Sequence, residues 1–449
     1  MHIRLKAMAI SLIATVLVVA PSLAQDTGRP PTATMEREAR GFERAAPNDA
    51  PERGKPDTFA PCVRGMAAGT YPCDGIDMMS HLSLADLGLS FVNDIWGWTD
   101  PQTRRDYALI GGTEGTVIVD ITRPKRPDVV GTLPAHTLDP ARPFWRDIKV
   151  FDDHMFVVSE QLAHGLQVFD LTEVRGVTGP PVSFTETAHY DEFSTSHNLN
   201  INEDTGFLYA VGTRNLDRSL NCGGGLHMVD ISEPTSPTFA GCFEEHVYIH
   251  DTQCVVYRGP DREHRGQEIC FNSNPPNSGT GPDFLSIVDV TDKSNPVVLA
   301  RVDYPQNGFS HQGWLTPDQA FFLHGDELDE LDHGIGTTTR VWDVRDLDNP
   351  MLIGVFENDT TSIDHNLYTE GRVAFASNYT SGLRIYDLRR VSEGTLSEIG
   401  YFDVYPESDD PIFEGTWSNF PYFRQKKIVA VSSIDRGLFI LRPRGSAGV

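Results

Sequence analysis

Between residues 59 and 443 apolar and polar positions alternate in short runs, and one run keeps returning. A small residue is followed by alternating aliphatics, then Asp. Residues 115–120 read GTVIVD, 165–170 GLQVFD, and 225–230 GLHMVD. The pattern recurs at 285–289, 339–343 and 382–387, and a last copy without Asp occupies 437–441. The spacing of roughly fifty residues is that of a propeller blade. Another β-rich run precedes each copy, such as 154–158 or 207–211, and an earlier one precedes that. Several copies are followed by a Pro turn and a further aliphatic strand, as after Pro124, Pro296 and Pro350. A helical period is absent throughout. The pattern predicts an all-β fold, a seven-bladed β-propeller with four-stranded blades. The last unit stops after its third strand, at Pro443. Residues 78–84 are therefore expected to return as the missing strand, closing the ring and removing a sheet edge.

Aligning the first strand of each blade brings out a column. Asn93, Arg146, His197, His250, His311, His365 and Gly415 fall at one equivalent position, so four of the 15 His occupy four consecutive blades. First strands surround the propeller axis. Neutral imidazoles gathered at one level suit a divalent transition metal, with Fe, Cu, Zn and Mn the candidates. A ring of hydrogen bonds between blades is the competing account. The next column (Asp94, Asp147, Asn198, Asp251, Gln312, Asn366) points to the opposite face and reads as blade-to-blade ties. Second strands end beside the starts of first strands. Glu160, Arg214, Asp326, Glu327 and Asn378, with Arg146, are thus expected to rim the His column and bind a polar or anionic ligand. The acidic run from Asp326 to Glu330 is its sharpest piece, and reads equally as a solvated loop. Trp96, Trp314 and Trp417 are expected to plug the axis or pack between blades.

The repeat also sorts the six Cys. Cys254 and Cys270 fall on the first and second strands of one blade. Cys222 and Cys242 flank the third and fourth strands of the blade before. Cys62 and Cys73 are left to staple the segment leading to the closing strand. Three local disulfides imply an oxidising compartment. The start of the chain agrees. Arg4 and Lys6 precede an apolar stretch, 7–20, and Ser22 and Ala24 offer small residues for cleavage after Ala24. Residues 1–24 read as a Sec-type signal peptide without a lipobox, 25–58 as a Pro- and Glu-rich disordered linker, and 444–449 as a tail without an anchor. The expected location is secreted or periplasmic, with no membrane span. A net charge of −26 excludes a basic nucleic-acid footprint. No nucleotide cofactor is expected, and no G-x-S-x-G elbow points to a serine hydrolase.

Five segments in order now carry a resemblance. They are the LSIVD strand 285–289, Cys62 with Tyr71-Pro72-Cys73 and Ser80-His81-Leu82, the run 249–257 (IHDTQCVVY), 310–315 (SHQGWL) and 364–368 (DHNLY). The chain resembles LVIVD-repeat propellers of the choice-of-anchor B family over roughly residues 60–443. The resemblance implies an exported bacterial propeller and no settled activity. That family is named for its variable C-terminal sorting tails, which are not found here. Two functions remain open: a scaffold engaging a protein, glycan or small molecule, or a metal-dependent oxidase or oxygenase using the four His. The latter arrangement is similar to carotenoid-cleavage oxygenases and to the selenium-binding, methanethiol-oxidase family, in architecture alone.

Overall fold

A computed structural model describes residues 59–138, 145–245, 248–276 and 283–448. The signal peptide and linker expected over 1–58 lie outside the described residues, as does Val449. Seven antiparallel sheets follow one another along the chain. Blade 1 runs from Val92–Thr99 to Asp128–Pro134, and blade 2 from Arg146–Phe151 to Ala188–Tyr190. Blades 3, 4 and 5 begin at Asn198–Asn202, Asp251–Val256 and Ser310–Leu315, and blades 6 and 7 at Leu367–Glu370 and Thr416–Phe423. The first strands of neighbouring blades touch all the way round, that of blade 7 meeting that of blade 1.

The repeat has a physical meaning at each end. Its Asp terminates the third strand by folding back on the backbone. Asp120, Asp170, Asp230, Asp289, Asp343 and Asp387 each accept the amide two residues on, at 2.8 to 3.1 Å. Its leading Gly is a matter of space. A Cβ on Gly225 would stand 2.0 Å from the Phe243 carbonyl oxygen, and one on Gly437 2.3 Å from that of Leu82. In between, second and third strands are buried on both faces and so read as unbroken apolar runs, whereas fourth strands such as Met351–Glu357 are half-exposed.

The ring closes as expected, with a small shift of boundary. Ile76–Leu82 pairs antiparallel with Gly437–Pro443, Ile76 opposite Pro443 and Leu82 opposite Leu438. Leu84 is not in the strand. Ser83 caps a short helix, Leu84–Leu87, by a reciprocal box with Asp86, and that stops the pairing. A second short helix occupies Asp329–His333, so helix is not wholly absent. Just upstream of the closing strand, Tyr71–Asp74 lies along the outer strand of blade 6. Blade 2 departs from a plain meander. Val182–Ser183, between its third and fourth strands, pairs in parallel with the outer strand of blade 1.

Three disulfides join Cys62 to Cys73, Cys222 to Cys242, and Cys254 to Cys270. The paired Cys stand where the repeat placed them. Replacing Cys222 and Cys242 together by Ser is expected to lower unfolding stability by about 3 kcal/mol, through the entropy of the reopened loop. Urea unfolding of the oxidised variant beside the oxidised wild type measures it.

Candidate functional site

Each His of the column stands at the entry to a first strand, so the closed ring sets the imidazoles in a row. Ring centroids are 4.2 Å apart from His197 to His250, 4.4 Å from His250 to His311, and 4.3 Å from His311 to His365. All four are buried. Three have their tautomer fixed by what Nδ1 meets. His250 donates to the His311 carbonyl oxygen at 3.0 Å, His365 to the Trp417 carbonyl oxygen, and His197 to the Glu160 carboxylate at 2.7 Å. A carbonyl can only accept, so the Nε2 lone pairs of His250 and His365 face away from these bonds. Nδ1 of His311 has no hydrogen-bond partner among the described residues.

Glu327 completes the group. Its carboxylate lies 3.8 Å from His311 Nε2 and 3.6 Å from His365 Nε2, and it accepts from the Tyr379 hydroxyl at 2.7 Å. Ligand atoms of His311, Glu327 and His365 lie within 4.8 Å of one another. Trp417 packs on His365 at 4.5 Å and also meets Trp145, at the entry to blade 2, at 6.2 Å. Trp314 of blade 5 packs edge-on against Tyr368 of the neighbouring blade 6, whereas Trp96 of blade 1 reaches the same Tyr368 past blade 7, across the inner ring rather than between adjacent blades.

Burial, and then the neighbouring imidazoles, hold His250 and His311 well below the usual histidine range. Burial likewise pushes His365 down to about 3, against its bond to the Trp417 carbonyl. These three are neutral at pH 7 and free to donate lone pairs. For His197 burial also presses downward, but the Glu160 bond and the charges of Glu160, Asp251 and Glu327 carry it above the usual value.

The other expected rim residues turn elsewhere. Arg146 enters the column position, but its guanidinium turns away, donating to the Gly112 carbonyl oxygen at the end of blade 1's second strand at 2.7 Å and meeting His164 Nε2, in the loop before blade 2's third strand, at 2.8 Å. Asp326 is taken up by the Tyr304 hydroxyl and the amides of Gly308 and Phe309. Asn378 donates to the Tyr386 hydroxyl, and Arg214 bonds within its own half-exposed loop. Glu160 and Glu327 are the two that reach the His row. The acidic run is no solvated loop: Asp326, Glu327, Asp329 and Glu330 are all buried.

Four members of the second column, Asp94, Asp147, Asn198 and Gln312, tie blades together. Asp94 accepts the Ile148 amide and Asp147 that of Leu199, while Asn198 donates to the His250 carbonyl oxygen. Gln312 bonds both backbone groups of Leu367. The tie into blade 4 also uses Asn200, two beyond Asn198 on the same strand face, and the tie into blade 5 comes from Gln253, two beyond Asp251, whose own carboxylate accepts the adjacent Thr252 amide. Lys149, likewise two beyond Asp147, sits buried against Asp147 and 3.8 Å from Asp94, an ion cluster absent from the sequence reading. Burial raises Asp94 well above the carboxylate range and Asp251 to about 7, with the charge of Asp147 adding to both. Against the pull of burial, Lys149 holds Asp147 low.

The LVIVD repeat pattern matches residues 222–244 and 283–304, the third-to-fourth strand units of blades 3 and 4. The chain carries LVIVD repeats. In both matched LVIVD units the terminal Asp, Asp230 or Asp289, makes the turn described above. Among curated proteins none matches the sequence. Solved structures of similar shape include the nidogen/laminin complex, at 9% identity over 68% of this chain and 96% of that chain, with a TM-score of 0.41. The Cps50 (Swd1) β-propeller domain of Myceliophteria thermophila is similar at 14% identity, over 78% and 96%, with 0.49. A Lactobacillus plantarum protein is similar at 13%, over 76% and 88%, with 0.47. At such scores these likenesses say nothing of ligand or activity. The propeller rests on the seven sheets themselves.

Proposed function

We propose that this chain is an exported binding or scaffold propeller that holds one divalent transition metal through His311, Glu327 and His365. One observation carries the reading: two buried, neutral imidazoles turn Nε2 toward one buried carboxylate. Two His and a carboxylate suit Fe and Mn, and Zn and Cu accept imidazole as well. The Trp417 carbonyl on His365 and the Tyr379 hydroxyl on Glu327 are the orienting partners that metal ligands commonly have. His197 and His250, expected as further ligands, continue the row beside this set. Three disulfides and the absence, among the described residues, of a helix fit to cross a membrane agree with an extracellular or periplasmic location. Export through residues 1–24 and membership of the choice-of-anchor B family extend that reading. The fold does not name the partner, whether protein, glycan or small molecule.

The second reading is a metal-dependent oxidase or oxygenase. What favours it is the donor set, since two His and one carboxylate leave coordination positions open. Elemental mass spectrometry of tag-free protein tests both. The expected result is about one transition metal per chain, lost when His311 and His365 are both replaced by Ala. Tyr379→Phe should weaken uptake by about 10-fold or more. Wild type that arrives metal-free and takes up no added Fe, Cu, Zn or Mn would sink the site. Bound iron or copper that consumes oxygen with a reductant would favour the enzyme.

A further inference from the structure

A second cluster lies behind the His row and uses none of its residues. Asp329 and Glu330 open the short helix after the second strand of blade 5, and Asp364 precedes His365 at the entry to blade 6. Their ligand oxygens lie within 4.8 Å of one another. Relative exposures are 0% for Asp329, 2% for Glu330 and 3% for Asp364. Part of each helix carboxylate is accounted for. Asp329 Oδ2 accepts from the Thr338 hydroxyl at 2.6 Å and pairs with Arg340 Nη1 at 2.9 Å, while Glu330 Oε1 accepts the Thr338 amide at 3.1 Å. The rest is not. Asp329 Oδ1, Glu330 Oε2 and both oxygens of Asp364 are buried with no donor from a neighbouring group among the described residues, and the Asp329 and Glu330 carboxyls stand close enough to share a proton.

Such atoms are costly unless something positive meets them. Arg340 faces Asp326 and Asp329 and its charge reaches Asp364 as well, so that one positive charge is shared among three carboxylates. Asp364 has nothing of its own, and Gly325 lets it approach: a Cβ there would stand 2.0 Å from Asp364 Oδ2. A close-set group of carboxylate oxygens with no nitrogen or sulfur suits a hard cation. Burial leaves little room for the waters that Mg²⁺ retains, whereas Ca²⁺ accepts several carboxylate oxygens at about 2.3–2.6 Å.

We propose that Asp329, Glu330 and Asp364 bind one calcium ion, pinning the helix after blade 5 to the entry of blade 6. The site is independent of the transition-metal reading, since it shares no ligand with the His row. Its test is calcium uptake by chelator-stripped full-length protein, followed by calorimetric titration with CaCl2 and by thermal unfolding. Wild type should take up about one Ca²⁺ and gain about 4 °C in Tm at a hundredfold excess over Kd. Asp364→Asn and, separately, Glu330→Gln should each lower the affinity about tenfold or more while remaining folded without calcium. Neutralising an unpartnered buried charge relieves the apo state, so at least one of the two is expected to fold as wild type does. His311→Ala, which disables the transition-metal set, should keep the calcium response. Stripped wild type that ignores millimolar calcium overturns the proposal. So does a folded Asp364→Asn or Glu330→Gln protein with wild-type affinity, or loss of the response in His311→Ala.

Discussion

Lys149→Met is expected to cost about 3–5 kcal/mol of unfolding stability, the penalty for leaving a buried carboxylate without its cation. Lys149 is buried, its ammonium stands over the Trp96 ring at 4.5 Å, and it pairs with Asp147. Met keeps the length and removes the charge. The loss should vary with pH. In the wild type the folded-state pKa of Asp147 is depressed, so its contribution is complete above the unfolded value of about 4 and disappears only in stronger acid. In the variant burial is no longer opposed and the same carboxyl is pushed above its unfolded value. Its contribution is then lost as pH rises. The deficit should therefore widen from pH 4 to pH 8, as read from urea midpoints. Asp147→Asn added to Lys149→Met should recover most of it, because Asn still accepts the Leu199 amide. An equal deficit at both pH values, or no recovery in the double variant, would show that the pair is not what Lys149 supplies.

Beginning the chain at residue 90 rather than 59 is expected to abolish soluble folding. The closing strand buries Ile76, Met78, Met79 and Leu82, each at most 2% exposed. At about 2 kcal/mol per side chain their burial amounts to roughly 8 kcal/mol, comparable with the whole stability of an ordinary domain. The shortened chain would also leave Gly437–Pro443 as an open edge on an apolar sheet, inviting self-association. A chain starting at residue 59 should match full length in solubility and urea midpoint. A soluble, monomeric chain from residue 90 with an unchanged midpoint would falsify the account of ring closure.

The fold was legible because every blade repeats the same local rules. The Gly against a neighbouring carbonyl, the Asp turned onto its own backbone and the doubly buried strands recur too regularly to be read otherwise. The His column was legible for the same reason, and so was Glu160 as a rim residue, although strand pairing sets it beside Arg146 and its bond to His197 reaches into the next blade. What could not be read was the direction of long side chains within the ring. Arg146 shares the column position but reaches the Gly112 carbonyl of blade 1 and His164. Lys149 looks from sequence like a solvent-facing residue in an otherwise apolar strand, and only its place two beyond Asp147 marks it as inward. The acidic run looked like surface because buried carboxylates are rare, and nothing in 326–330 itself announces that Asp364 and Arg340 will meet it. Asn200 and Gln253 were within reach, since the same two-residue period that gave the tie column also gives them.

Ring closure also sets a clock. His81 bonds the Arg436 carbonyl oxygen across 355 residues of sequence. An exported chain leaves the translocation channel N-terminus first, so the strand Ile76–Leu82 emerges first and waits, its donors and apolar face unpaired, until the final blade has followed. Early blades can form as they appear, because their contacts are local. The last step needs the two ends of the folded region together, and so is both the most non-local contact in the molecule and the slowest to find. Until that last step the protein is an open arc with two sticky ends, and any factor that shields Ile76–Leu82 during the wait would govern its yield.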